Sequence, residues 1–121
     1  MKAAMPTPLP FAVTPEAEQW LLQVSDVPNK QPGIFRTFRY EIHKDGDLAE
    51  EFDGEHYSVG YDLPEGWASE PSANRVTIAH RDFWLPPDTV NALRSKTLSV
   101  VQRAVGRGRY AGRIRNVLVA V

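Results

Sequence analysis

Proline divides this chain into short segments. Ten of its 121 residues are proline, at positions 6, 8, 10, 15, 28, 32, 64, 71, 86 and 87. Proline removes a backbone donor and breaks a helix interior, but it is favoured in extended segments and in the first turn of a helix. The first three prolines therefore predict a flexible N-terminal arm over residues 1–10, and the later ones mark element boundaries.

Two short helices are predicted. Thr14, Pro15 and Glu16 supply an N-cap hydroxyl, a proline at the first helical position and an acid in the first turn. Apolar side chains follow at helical spacing and predict a helix over residues 15–24; they are Ala17, Trp20, Leu21 and Val24. The Pro-Pro-Asp sequence at 86–88 opens the second helix.

Strands are predicted where aromatic and β-branched residues alternate with polar ones. The segments are 34–42, 57–63, 75–79 and 114–121. In the first of them Phe38, Tyr40 and Ile42 are expected to face the core. Residues 97–105 fit both a helix ended by Gly106 and a strand, and periodicity does not choose between them. The chain is long enough for one core, so we expect a single α+β domain over residues 11–121.

Acidic and basic residues are distributed unevenly along the chain. Residues 1–93 hold all 15 acidic residues and 7 of the 14 Lys and Arg, whereas residues 94–121 hold the other 7 and no acid. Two interpretations stay open: the basic tail is neutralised by the acidic body, within one chain or between subunits, or it binds an external anion.

Several classes of chemistry are excluded or disfavoured. The chain has no cysteine, which excludes disulfides, thiolate nucleophiles and cysteine-held zinc or iron–sulfur clusters. It has no Gly-x-Ser-x-Gly elbow, no phosphate-binding loop and no dinucleotide fingerprint. No signal-peptide core or membrane-spanning apolar run occurs. We therefore expect a cytoplasmic protein with no cofactor and no membrane partner.

Two local patterns suggest a family. Residues 11–17 are FAVTPEA and residues 83–98 are FWLPPDTVNALRSKTL. They resemble the A-type iron–sulfur carriers, the HesB-like family, in which a capped helix follows a short strand and a short helix ending in Leu lies between two strands. The resemblance implies a compact mixed β structure with two short helices, and it makes residues 97–102 a strand. Gly106 and Asn116 fall near that family's glycine turn and its terminal Asn-rich stretch.

The resemblance implies a scaffold without the family's activity. That family holds its cluster or iron with three cysteines, and this chain has none. No ligand residue can be carried over, and fold alone does not confer chemistry. We therefore expect no iron–sulfur cluster here.

Titratable side chains offer weaker candidate sites. The three histidines, His43, His56 and His80, have no metal-ligand spacing, so separate surface or hydrogen-bonding roles are expected and no metal ligand is assigned. The carboxylates of residues 45–55 lack the ligand order and the glycine of a calcium loop. A solvated acidic loop is expected there.

The tail supplies the candidate binding residues. Five arginines interleave with glycines and are candidates for anion binding: Arg103, Arg107, Arg109, Arg113 and Arg115. Tyr110 is placed to stack on a base or to contact a partner, and Trp67 is a candidate exposed anchor in its Gly/Ser/Pro loop.

The expected function is non-catalytic: a protein-interaction domain that self-associates or binds a protein partner through acidic and basic faces. No catalytic residue is assigned. Two alternatives stay open, namely polyanion or nucleic-acid binding through the tail, and a small enzyme or ligand-binding protein that uses histidine and carboxylate groups in a pocket.

Overall fold

The structure is a computed structural model and describes residues 9–62 and 74–121. In these residues seven strands and two helices follow one another along the chain. They are β1 (Ala12–Val13), α1 (Pro15–Val24), β2 (Gln31–Lys44), β3 (Asp47–Asp62), β4 (Asn74–Ile78), β5 (Arg81–Leu85), α2 (Pro87–Leu93), β6 (Thr97–Ala104) and β7 (Ile114–Ala120). The predicted α+β class with two short helices is confirmed. Most of the predicted N-terminal arm, residues 1–8, lies outside the described residues.

All described strands join one sheet in the order β1-β6-β7-β3-β2-β5-β4. β2 and β3 form a long antiparallel hairpin that turns at Asp45 and Gly46, both with positive φ. β6 and β7 pair from Leu98↔Ala120 to Ala104↔Ile114. This pairing makes the helical alternative for residues 97–105 wrong, because the cross-strand bonds to β7 satisfy the backbone groups that a helix would bond internally.

Helix α1 spans the sheet and links strands far apart in its order. At its start the Thr14 N–H donates to the carbonyl of Leu98 on β6 at 3.0 Å. At its end Arg81 of β5 donates to the Leu22 carbonyl and to Ser25 Oγ, each at 2.8 Å. The helix therefore lies across one face of the curved sheet and encloses the main core.

The main core is formed by α1, α2 and the face of the sheet beneath them. Its buried members are Phe11, Ala17, Leu21, Ile34, Tyr57, Ile78, Phe83, Leu85, Val90, Leu93, Leu98 and Leu118. A second, smaller cluster consists of Phe52, Val105, Val117 and Val119. Burial of these aliphatic and aromatic groups supplies most of the stabilising free energy.

The prediction of which side chains of β2 face the core is wrong for the second half of the strand. Ile34 is buried, but Phe38 and Tyr40 are 58% and 42% exposed. β2 meets β5 only at Gly33↔Trp84, so the strand runs on beyond the main core. Alternation predicts which residues share a face, but not where a covering layer ends.

Among the described residues, neither helix has the length and apolar content needed to cross a membrane.

The N-cap of α1 provides a test of the fold. Thr14 Oγ1 accepts a hydrogen bond from the Ala17 N–H at 3.2 Å. We expect Thr14→Ala to lower the free energy of unfolding by about 1 kcal/mol, and Thr14→Ser to retain most of it, because serine keeps the acceptor. Urea unfolding followed by circular dichroism measures the difference, and equal losses in the two variants would contradict this role of the cap.

Candidate functional site

Two bulges in β3 shape the region that carries most polar side chains. The register with β2 moves from Thr37↔His56 to Arg39↔Asp53, and again from Ile42↔Glu50 to His43↔Leu48. At each step β3 contains one residue more than β2. Gly54, with φ of +98°, lies in the first bulge. A bulge re-aims the side chains beside it, and here Glu50 and Glu51, although adjacent, are both buried.

The acidic segment is therefore not the solvated loop expected from its composition. Residues 47–55 belong to β3. Arg107 and Arg115 of the arginine-rich tail, more than 50 positions away, contact Glu51 and Glu50, and Arg39 of β2 also contacts Glu51. The acidic residues at the hairpin turn, Asp45 and Asp47, remain exposed.

Backbone hydrogen bonds join the segment 105–113 to the edge of β3. The backbone N–H groups of Arg109 and Tyr110 donate to the carbonyls of Leu48 and Ala49, each at 2.9 Å. Farther along, Glu51 and Arg107 form a backbone bridge. The segment 105–113 thus pairs with the edge of β3 at residues 48–51, a part of β3 that β7 does not contact.

The five candidate arginines do not form one patch, since four of them reach different points along β3. Arg109 Nη2 lies 2.8 Å from Asp47, Arg107 Nε lies 3.3 Å from Glu51, and Arg115 Nε lies 2.6 Å from Glu50. Arg103 donates to the Glu55 carbonyl at 3.5 Å. Arg113 instead stacks over the Tyr110 ring at 4.3 Å. Much of the charge separation seen along the sequence is therefore neutralised within the chain.

Glu51 is the most buried charged group of this network, with 1% of its side chain exposed. Arg39 and Arg107 form ion pairs with its two oxygens. Neither oxygen receives a well-directed hydrogen bond from the described residues. A buried carboxylate with imperfect hydrogen bonding depends on its cationic neighbours, so the tail and β2 must both be in place for Glu51 to remain buried.

Tyr110 is held between cations. The Arg113 guanidinium lies over one part of its ring, and Lys44 Nζ lies 5.8 Å from the ring centroid. Such contacts stabilise an aromatic ring beside positive charge. The other interaction residue predicted from sequence, Trp67, lies outside the described residues.

A cavity of about 270 Å³ opens between the C-terminal half of α1 and strands β2, β3 and β7. Its walls are mostly aromatic and aliphatic. They consist of Trp20, Val24, Tyr40, Ile42, Glu50, Phe52, His56, Tyr57, Ser58, Val59, Tyr61, Arg115, Asn116, Val117 and Leu118. An apolar pocket with a few polar groups is the usual form of a small-molecule site.

His56 is the buried imidazole of this wall. Its Nδ1 lies 2.8 Å from the Gly54 carbonyl, which can only accept, so Nδ1 carries the proton. Nε2 has no hydrogen-bond partner among the described residues and, in the neutral ring, is an acceptor. Tyr40 meets the ring edge-on at 6.4 Å, and Phe52 lies at the same distance. The aromatic neighbours fix the ring orientation.

The other histidines are elsewhere. His43 pairs with Glu41 at 3.2 Å on the exposed part of the β2–β3 hairpin, and His80 lies in the turn between β4 and β5 with φ of +64°. The described residues contain no group of three or more His, Asp or Glu side chains placed to share a metal ion.

Two further polar groups complete the pocket wall. The Glu50–Arg115 ion pair is partly buried there. The Tyr57 hydroxyl donates to Glu55 Oε1 at 3.2 Å. Burial, reinforced by the negative charge of Glu55, raises the pKa of Tyr57 to about 12. The pocket therefore combines a mostly apolar lining with one imidazole acceptor, one ion pair and the polar groups of Ser58, Asn116 and the tyrosines.

Sequence reasoning named His56 and Arg115 but missed the pocket. Tyr40, Phe52 and His56 come together only because the bulge at Gly54 shifts the register of β3. The usable signal was Gly54 inside a segment otherwise rich in strand residues, since an isolated glycine in a strand often marks a bulge.

Two glycines of the tail test its docking on β3. Gly108 and Gly112 both have positive φ, which costs an alanine about 1–2 kcal/mol. A Cβ on Gly108 would lie 2.6 Å from the Ala49 carbonyl oxygen, whereas at Gly112 the space is open. We expect Gly108→Ala to lower the free energy of unfolding by at least about 2 kcal/mol more than Gly112→Ala. Chemical unfolding measures this, and similar losses would contradict the docked geometry.

The buried hydroxyl of Tyr57 makes the free energy of unfolding depend on pH in the alkaline range. Its hydroxyl ionises near pH 10 in the unfolded chain but near pH 12 in the folded protein, so stability is complete below pH 10 and falls as pH rises toward 12. The pKa of Tyr61 is also raised by burial and acts in the same direction. Between pH 9.5 and about 11.5 we expect the free energy of unfolding to fall less steeply in Tyr57→Phe than in the wild-type protein. An unchanged slope would contradict the burial of this hydroxyl.

Comparison with known proteins gives no relative from which a function can be transferred. The chain matches no family model, no curated protein and no solved structure. What the protein does must therefore follow from the chemistry of its own side chains, above all those of the pocket and of the ion pairs along β3.

Proposed function

We propose that the protein binds a small, mostly apolar molecule in the pocket between α1 and the sheet. The observation that carries this proposal is the half-open, aromatic-lined cavity whose buried imidazole has one nitrogen without a hydrogen-bond partner among the described residues. It corresponds to the ligand-binding alternative that the sequence left open.

The volume sets the size of the ligand. About 270 Å³ lies just below the roughly 300–1,000 Å³ of most ligand pockets, so the ligand must be small. A single aromatic ring or a fused bicyclic ring with a short substituent fits this space. Displacing water from walls formed by Trp20, Tyr40 and Phe52 favours an aromatic or aliphatic body.

The polar groups set its chemistry. His56 Nε2 offers an acceptor, so the ligand should carry a hydroxyl or N–H donor. Glu50 and Arg115 already neutralise each other at 2.6 Å, so the pocket has no net charge to select an ion. A neutral phenol-like or indole-like compound meets both conditions.

The ligand class is tested with phenol, indole and toluene as probes. We expect the backbone amide signals of Ser58, Val59 and Asn116 to shift on titration with phenol or indole. Toluene lacks the donor and should bind about 3- to 10-fold more weakly, the difference that one hydrogen bond makes. His56→Phe should remove this discrimination. Equal affinity for phenol and toluene in the wild-type protein would contradict the role of His56.

Matched substitutions locate the binding site. Val24→Phe extends a larger side chain into the pocket from α1 and should abolish probe binding. Val27→Phe makes the same change just beyond the helix, at a residue that lines a different surface hollow, and should leave binding intact. Loss of binding in both variants, or in neither, would place the probe elsewhere.

A protein-interaction function on a HesB-like scaffold is the second candidate. The scaffold is supported by the element order β5, α2, β6 over the segment 83–98 that carried the resemblance, and the absence of cysteine means that no iron–sulfur cluster accompanies it. The interaction function is supported by the exposed apolar side chains Phe38 and Ile114. Acidic and basic faces offer less support, since many of their charges pair within the chain.

Polyanion binding by the tail stays a prediction. Arg107, Arg109 and Arg115 each contact a carboxylate of β3. A phosphate would have to displace that partner, so the intact fold favours the pocket over the tail as the ligand site.

A further inference from the structure

The second half of β2 has a free edge. β2 is paired with β3 along its length, but on its other side it meets β5 only at Gly33↔Trp84. The Arg36 N–H is then bonded to Thr89 Oγ1 at 3.1 Å. Beyond that point no described segment pairs with the outer edge of residues 37–44. Every second residue there directs its N–H and C=O groups outward, as a template for another strand.

We propose that this edge binds a second copy of the chain as an antiparallel strand, centred on Tyr40 of each copy. The two copies are then related by a twofold axis, and residues 37–43 of each strand lie opposite each other. The interface uses the outer edge of β2, a strand whose Tyr40 and Ile42 also line the pocket.

Charge complementarity selects this register. The Arg39 and Glu41 side chains are 58% and 37% exposed and lie on the same face of the strand. Centring the pair on Tyr40 sets Arg39 opposite Glu41 of the second copy, twice by symmetry, and opposite charges in that position stabilise a strand pair. A register centred on Arg39 or on Glu41 would set that residue opposite the same residue of the second copy, and like charges in this position destabilise a strand pair.

Arg39 can serve both copies. Its guanidinium already contacts Glu41 and Glu51 of its own chain, but it has five N–H donors in a planar fork. Asp53 of the same chain also lies 4.0 Å away, and the remaining N–H groups can donate to a carboxylate of the second copy.

The same register covers an exposed apolar side chain. Phe38 is 58% exposed and lies opposite Ile42 of the second copy. Aromatic and β-branched side chains paired across strands stabilise a sheet. One strand pair buries less surface than a standard interface, so the dimer should depend on concentration.

The lack of cysteine allows a test by cross-linking. Opposite residues of antiparallel strands have Cβ atoms about 4.5–5.5 Å apart, close to what a disulfide bridges. Under mild oxidation we expect Tyr40→Cys to become mostly covalent dimer. Phe38→Cys should not, since its counterpart is about 14 Å away along the strand. Ile114→Cys, a control at an exposed position on β7, should also form no covalent dimer.

Analytical ultracentrifugation of the protein without an introduced cysteine measures the association independently. We expect wild-type protein to show a monomer–dimer equilibrium, Glu41→Gln to weaken it and Glu41→Arg to weaken it at least 10-fold. Asp26→Arg makes the same type of charge change away from the edge and should leave the dimer intact. Circular dichroism verifies that each variant is folded.

Three results would overturn the proposal. They are a wild-type monomer at all concentrations, a dimer that Glu41→Arg does not weaken, and equal cross-linking of Tyr40→Cys and Ile114→Cys. The second result would mean that the copies associate through another surface.

Discussion

The docking of the arginine-rich segment 105–113 on β3 is the contact on which the rest of the structure depends. Its backbone completes the edge of β3 at residues 48–51, and its arginines meet the carboxylates there. Glu51 is buried as an ion because Arg39 and Arg107 reach it from two sides. Removing either cation would leave a buried charge without adequate compensation.

This contact also connects the two surfaces to which we assign roles. Arg115, just beyond the segment, pairs with Glu50 in the pocket wall, and Glu51 also pairs with Arg39, which belongs to the strand with the free edge, β2. The pocket retains an apolar lining because its charged members neutralise each other. The edge retains alternating charges, which discourage indiscriminate pairing and favour one register.

Local signals in the sequence predicted much of the fold. The N-cap at Thr14 and the apolar stripe located α1, and the prolines at 86 and 87 located α2. Composition misled at residues 45–55, because a run of carboxylates resembles a loop when the arginines that pair with it belong to other strands and to the distant tail. The pocket was out of reach for a similar reason: it depends on bulges that change which residues of β3 face α1.

By itself, the sequence determined the α+β class, the two helices, the absence of thiol chemistry and the separation of charge along the chain. These follow from side-chain type and short-range spacing. Periodicity left residues 97–105 open and the family resemblance favoured a strand, which the pairing with β7 decided; only the tertiary structure showed that Glu50 and Glu51 are buried and that His56 lies in an aromatic pocket. Each of these depends on partners distant in the chain, whose approach is set by strand pairing and packing rather than by local preference.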